Sequence, residues 1–296
     1  MNARVAGAPV SWGIIEVPDW GYQMPADRVL QETASIGLEA MEAGPEGFLP
    51  GDPTEVAGVL DGYGLALVGG FVPAVLHQPG VRDEQLALVE RRAEFFAAAG
   101  ADVVVLAAST GSEDYGEVFE ADEDAWRTLF GSLQEVENIC ARHGVAVSLH
   151  QHYGTAIERD DQLSRFLEGS EMGLCLDTGH LAIGGSDPVE VAKLAGGRIN
   201  HVHLKDVDYE LAARLASREF DFKEAAKRGA FLPLGEGDVD VERLLDVLEA
   251  AGYSGWYVLE QDTVVETAPE HGKGPVEDVN KSLEYVEKML NGEARR

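Results

Sequence analysis

Four short apolar runs in this sequence end on residues that can bind a metal or move a proton. His150 and His152 follow Val145–Leu149, and Asp177 and His180 follow Gly173–Leu176. His201, His203 and Lys205 run through and past Ile199–Leu204, and Glu260 follows Trp256–Leu259. Imidazole titrates near neutrality and ligates first-row divalent ions, while carboxylates supply oxygen donors or act as bases. Strand side chains alternate faces with a period of two. His150 and His152 then share a face, as do Cys175 and Asp177, and His201, His203 and Lys205, while Val258 pairs with Glu260. If these runs are strands of one barrel, His150, Asp177, His203 and Glu260 come within reach of one divalent ion. Two imidazoles with two carboxylates suit Mn²⁺ or Co²⁺, and also Zn²⁺ or Fe²⁺, better than the oxygen-only preference of Mg²⁺ and Ca²⁺. Each residue alone has a plain structural use, since a strand-end Asp commonly caps a helix and a single His commonly sits hydrogen-bonded in a core. Five of the eight histidines nevertheless fall in three strand-end segments, a clustering that no structural role requires.

For these groups to meet, the strands that carry them must be wound with their ends on one face. The sequence predicts eight strands, Arg4–Trp12, Leu38–Ala43, Leu65–Gly70, Asp102–Ala107, Val145–His150, Gly173–Asp177, Ile199–Leu204 and Trp256–Glu260. Helical spacing is predicted between them at Ala26–Ser35, Pro53–Asp61, Arg82–Ala99, Glu123–His143, Asp160–Leu167, Pro188–Ala195, Val241–Ala251 and Val276–Leu290. Parallel strands covered by crossover helices produce this alternation. Gly37, Gly64, Gly100, Gly144, Gly196 and Gly252 each precede a predicted strand, where a helix C-terminus favours positive φ. A chain of 296 residues divides into eight units of 37, enough for a strand, a helix and two loops. We therefore expect an α/β fold, a single (β/α)8 TIM barrel over residues 1–296. Its largest excursion is a long loop at about 206–234, with helical spacing at Tyr209–Arg218 and Asp221–Arg228. In such a barrel the active site lies at the C-terminal ends of the strands.

The composition narrows the partners. With 53 acidic and 23 basic residues the formal charge is −30, which repels phosphate backbones and anionic lipid headgroups. No nucleic-acid and no membrane partner is expected. A 45% hydrophobic content supplies a core that a disordered polyanion would lack. The start of the chain has no signal-peptide pattern, and nowhere do about 18 apolar residues run together, so a cytoplasmic location is expected. Cys140 and Cys175 read as buried, reduced thiols.

Several blocks resemble the xylose isomerase-like barrels of sugar isomerases and epimerases, and among them the inosose (2-keto-myo-inositol) dehydratases. They are Leu174-Cys-Leu-Asp177-Thr-Gly-His180, Ile199-Asn-His-Val-His203-Leu-Lys-Asp206, Phe231-Leu-Pro-Leu-Gly-Glu-Gly-Asp238 and Gly252-Tyr-Ser-Gly-Trp-Tyr-Val-Leu-Glu260-Gln-Asp262. Ala8-Pro-Val-Ser-Trp12-Gly and Gly37-Leu-Glu-Ala-Met-Glu42-Ala-Gly are also similar. The resemblance implies metal ligands at Asp177, His203 and Glu260 and a fourth at the end of the fifth strand. Epimerases usually place Glu there, whereas His150 in Ser148-Leu-His-Gln-His152-Tyr-Gly-Thr155 resembles the dehydratase branch. It further implies a metal-dependent lyase that dehydrates a keto-cyclitol or keto sugar through an enediolate, with a ketose isomerase or epimerase as the alternative. For that chemistry His152 and His180 are the candidate acid and base, and Lys205 is a holder of a substrate or enolate oxygen. Glu42, Trp12 and His77 are candidate substrate contacts, and Trp256 is expected to pack in the core. The loop Gly235-Glu-Gly-Asp238 is expected to lead into a helix cap near Val241 rather than to cradle phosphate. Self-association into a homo-oligomer is compatible with all of this. A zinc-cluster apurinic endonuclease of related fold would need more strand-end ligands and a basic surface.

Overall fold

The computed structural model describes residues 4–112 and 114–291. In chain order its strands and helices are β1 (Arg4–Gly7), α1 (Ala26–Ser35), β2 (Ala40–Met41), α2 (Pro53–Gly62), β3 (Ala66–Leu67), β4 (Gly69–Ala74), α3 (Arg82–Ala98) and β5 (Val103–Ala108). There follow α4 (Glu123–His143), β6 (Ala146–His150), α5 (Asp160–Gly169), β7 (Gly173–Asp177), α6 (Thr178–Ile183), α7 (Pro188–Ala195) and β8 (Ile199–Leu204). Last come β9 (Asp206–Val207), α8 (Tyr209–Ala216), α9 (Phe222–Lys227), β10 (Phe231–Leu232), α10 (Val241–Ala250), β11 (Trp256–Leu259) and α11 (Pro275–Leu290).

The barrel strands pair in parallel in the order β3-β2-β1-β11-β8-β7-β6-β5-β4. β3 and β4 are two parts of one run interrupted at Val68. The Val68 N–H donates to Met41 O while its carbonyl accepts from the Asp102 N–H, so this residue closes the ring. Eight barrel positions result, as the alternation in the sequence predicts, and the fold is an α/β TIM barrel.

Two cores follow from the pleat. Ala6, Ala40, Val68, Val103, Val105, Cys175 and Val258 fill the barrel interior. The intervening residues, among them Val104, Leu106, Leu149, Leu174, Leu176, Val202 and Leu204, pack outward among the helices. Small side chains suit the narrow interior, and the same inward rows end in polar groups at the C-terminal rim. Cys175 is followed by Asp177, and Val258 by Glu260. Both cysteines are buried and free, and burial pushes their thiols up to about 12 for Cys140 and about 11 for Cys175.

Local signals set most helix ends. The Asp122 carboxylate accepts the Ala125 N–H at 2.8 Å to start α4, and Gly144, at φ 74°, ends it. α1, α4 and α7 occupy the predicted spans, and β7 and β8 do as well. The first predicted strand is shorter than Arg4–Trp12, because Pro9 cannot donate to a ladder and begins a 3-10 turn over Pro9–Trp12. The second predicted strand pairs only at Ala40–Met41.

The excursion at 206–234 is folded rather than a plain loop. It carries α8 and α9 between β9 and β10, which pair antiparallel with Val207 opposite Phe231. The Asp206 carboxylate accepts the N–H groups of Val207, Gly235, Gly237 and Val239 at 2.9–3.0 Å. The Gly-Glu-Gly-Asp loop thus wraps an anion belonging to its own chain. Asp240, two residues past Asp238, then caps α10 through the Arg243 N–H. Among the described residues no helix is long and apolar enough to cross a membrane.

Candidate active site

At the C-terminal rim the inward rows of β6, β7, β8 and β11 converge. Asp177, the last residue of β7, divides its carboxylate between two tasks. Oδ1 accepts the His180 N–H at 2.8 Å and so starts α6. Oδ2 faces inward, 3.3 Å from His150 Nε2, 3.6 Å from His203 Nδ1 and 3.5 Å from Lys205 Nζ. Glu260 Oε2 lies 3.4 Å from His203 Nδ1 and 3.1 Å from Lys205 Nζ. Burial opposes charge on both carboxylates, but Lys205 and the surrounding imidazoles outweigh it and hold Asp177 well below, and Glu260 below, the usual range.

His203 is bound on one side only. Its Nε2 lies 3.0 Å from Glu42 Oε1, and His201 Nε2 lies 2.7 Å from the same oxygen. Its Nδ1 is buried with no hydrogen-bond partner and faces Asp177 and Glu260. Because a carboxylate only accepts, Glu42 calls for a proton on Nε2. Burial opposes charge on this ring, but Cys175, Glu260 and Glu42 raise it well above its ordinary value, so Nδ1 is the nitrogen whose second proton a cation would displace. Donor atoms of Asp177, His203 and Glu260 lie within 4.8 Å of one another, and His150, Asp177 and His180 form a second such group. One unpaired buried nitrogen amid carboxylate oxygens is the donor set a divalent cation satisfies. The residues present therefore fit a metal ion held by Asp177, His203 and Glu260, with His150 as the fourth donor. Burial keeps the His150 imidazole below its ordinary value, so it would be a neutral donor at neutral pH.

Lys205 is fully buried and charged. Desolvation pulls its ammonium down, but Asp177, Asp262 and Glu260 together push it well above its ordinary value. Nζ lies 2.8 Å from Asp262 Oδ2 and 3.2 Å from His180 Nε2. The Thr178 hydroxyl clamps its backbone, donating to Lys205 O at 2.6 Å and accepting the Lys205 N–H at 2.8 Å. Gly179 makes room for the stem, because a Cβ there would lie 2.6 Å from Lys205 Cγ and Cδ. Asp262 was not singled out from the sequence, although it continues the inward row of Val258 and Glu260.

A cavity of about 310 Å³ opens beside this cluster. Glu42, His150, His152, His203, Lys205, Glu260, Asp262 and Tyr115 line it, and Val10, Ile14, Phe71 and Leu88 are among its apolar walls. His152 Nδ1 donates to Tyr153 O at 2.7 Å, leaving Nε2 as the lone pair, 3.4 Å from the Tyr115 hydroxyl. Burial, with His150 and Lys205 adding to it, pushes His152 down to about 3. His180 lies behind the cavity wall. Its ring is 3.8 Å from that of His152 and stacks on Phe222 of α9 at 5.8 Å, and it reaches the cavity through Lys205. The excursion roofs this region. Arg218 binds both oxygens of Glu158 at 2.8 Å and the Gly116 carbonyl at 2.9 Å, with its guanidinium over the Tyr153 ring. No sequence pattern marks Tyr115 or Phe222, which reach the site from a loop and from the start of α9, segments that only the fold brings together.

Two predicted substrate contacts lie outside this cavity. Trp12 is fully buried in the 3-10 turn, and its indole N–H donates to Glu32 Oε2 at 3.0 Å. His77 packs its ring against Phe119 at 4.4 Å, away from the cavity lining. Trp256, expected in the core, packs half-buried against the barrel-interior cluster, with the Arg4 guanidinium 3.9 Å over its ring.

Residues 30–289 match the family described as xylose isomerase-like TIM barrel. This chain belongs to that family. It is 27% identical to the inosose dehydratase of Geobacillus kaustophilus (strain HTA426) over 299 residues, 97% of this chain and 95% of that one. In fold it is similar to an L-ribulose 3-epimerase, with a TM-score of 0.73 at 18% identity over 99% of this chain and 96% of that one. It is likewise similar to the IolI protein solved with a bound zinc atom, with a TM-score of 0.69 at 16% identity over 97% and 98% of the two chains.

Proposed function

We propose that this xylose isomerase-like barrel is a metal-dependent carbon–oxygen lyase that dehydrates a 2-keto cyclitol or a related keto sugar. The observation that carries this reading is one cavity wall holding a neutral imidazole, His152, a charged ammonium, Lys205, and His203 and Glu260, whose donor set Asp177 completes. End-to-end likeness to an inosose dehydratase supports it, and the zinc in a protein of similar fold supports the metal. When bound, a divalent ion at these donors would polarise the substrate ketone and stabilise the enolate that forms beside it.

The chain's own groups divide the remaining work. His152 Nε2 carries a lone pair at neutral pH and takes the proton from the carbon next to the ketone. The C–H electron pair moves into the carbonyl, where the Lys205 ammonium adds positive charge close to the developing oxyanion. The enolate then re-forms the ketone and expels the hydroxyl from the β-carbon. The proton carried by His152 leaves with that hydroxyl as water. Asp262 and His180 hold Lys205 between them, and the apolar walls and the α8–α9 roof limit solvent access.

The test uses protein stripped with chelator and reloaded with Mn²⁺ or Co²⁺, incubated with 2-keto-myo-inositol. Ultraviolet absorbance and mass spectrometry of the product follow the reaction. Loss of water that depends on added metal and falls sharply in His152→Gln is the expected result. Full activity in the stripped protein, or conversion to an epimer with no water lost, would overturn the assignment.

A further inference from the structure

We infer that Glu42 is a positioning residue for the metal ligand His203, fixing its proton on Nε2 so that Nδ1 faces Asp177 and Glu260, rather than a substrate contact. Glu42 comes from the segment just past β2, while His201 and His203 lie on β8, across the barrel mouth. A single oxygen, Oε1, receives both Nε2 atoms, at 2.7 Å from His201 and 3.0 Å from His203. All three side chains are buried. An ionised carboxylate has only acceptor sites, so each imidazole must present N–H to it. For His203 this commits Nε2 to Glu42 and leaves its unpartnered Nδ1, at 3.4–3.6 Å from the two carboxylates that share its donor group, as the nitrogen available to a cation. His201 occupies the other approach to Oε1, so two imidazoles of β8 hold the carboxylate. Carboxylates that orient ligating histidines in this way tune metal affinity.

The inference rests on the divalent-metal reading above, and its test separates the two. Metal-free wild type and Glu42→Gln are titrated with Co²⁺, followed by the visible absorbance of the bound ion and by calorimetry. The amide offers a single neutral acceptor oxygen in nearly the same shape. The expected result is Co²⁺ affinity weaker by about 10–100-fold in the variant, with KM for the keto-cyclitol at saturating metal within about two-fold of wild type. Equal Co²⁺ affinity with a raised KM would overturn the inference and return Glu42 to substrate binding. Wild type that binds no Co²⁺ would instead overturn the metal reading itself. A wild-type measurement decides the point if the variant fails to fold. In ¹⁵N-histidine NMR of the Zn²⁺-loaded protein, His203 should carry its proton on Nε2 with the metal on Nδ1. A proton on Nδ1 overturns the inference.

Discussion

Gly179→Ala sets local propensity directly against packing. Gly179 is the second residue of α6, and its φ is not in the left-handed region. On propensity alone Ala should favour the helix by up to about 1 kcal/mol. The structure predicts the opposite sign. The new Cβ would lie 2.6 Å from Lys205 Cγ and Cδ and 3.0 Å from its Cβ. Carbon atoms need about 3.5 Å, so the middle of the Lys205 stem must retreat by about 0.9 Å. Neither end of the stem can follow freely. Thr178 holds the Lys205 backbone through two hydrogen bonds, and Asp262 at 2.8 Å and Glu260 at 3.1 Å hold the ammonium. Overpacking of this kind costs about 1–3 kcal/mol, which exceeds the helix gain. A catalytic group displaced by about 1 Å also costs on the order of 100-fold in rate. Urea unfolding monitored by circular dichroism, together with kcat on a keto-cyclitol, measures both effects. A variant that is more stable than wild type and equally active would refute the packing reasoning.

Two further outcomes follow from the charges at the site. His152 is held at about 3 in the folded protein, against about 6.5 in an unfolded chain. The unfolded state therefore takes up the proton first as pH falls, and the stability this group contributes, at most about 5 kcal/mol, is lost between pH 6.5 and pH 3. Denaturant unfolding across that range should show a shallower acid loss in His152→Gln than in wild type, and equal slopes would contradict the assignment. Lys205→Met leaves Asp177, Glu260 and Asp262 buried with no ammonium among them. This should cost about 3–5 kcal/mol of stability, and part of the loss should return on adding Mn²⁺. Thermal unfolding with and without the ion checks this, and a variant as stable as wild type without metal would contradict it.

Much of the barrel was legible because its signals are local. Short apolar runs marked β7 and β8 to the residue, and helical spacing closed by Gly144 and Gly196 marked α4 and α7. Where a local rule was passed over, the prediction failed. Pro9 stops the first strand and turns Trp12 into a buried partner of Glu32, although it had been expected as a substrate wall. The short helix α6 went unseen because its six residues carry too little periodicity, yet its cap is Asp177, the same carboxylate that faces the donor set.

Consecutive residues were enough to say which side chains share a face on each strand, so that His150, Asp177, His203 and Glu260 end four rows that meet if the strands form one barrel. Strand alternation is a property of consecutive residues, so it needs no knowledge of the rest of the chain. What each group does beside the others depends on the folded chain. Glu42 and His203 are 161 residues apart in sequence, and Arg218 and Glu158 are 60 apart. Which nitrogen of His203 is left unpaired, how Lys205 stays charged in a buried site, and what roofs His180 all depend on electrostatics and packing between distant segments. Those interactions fall off within a few ångströms, so they exist only once closure of the barrel has brought the segments together.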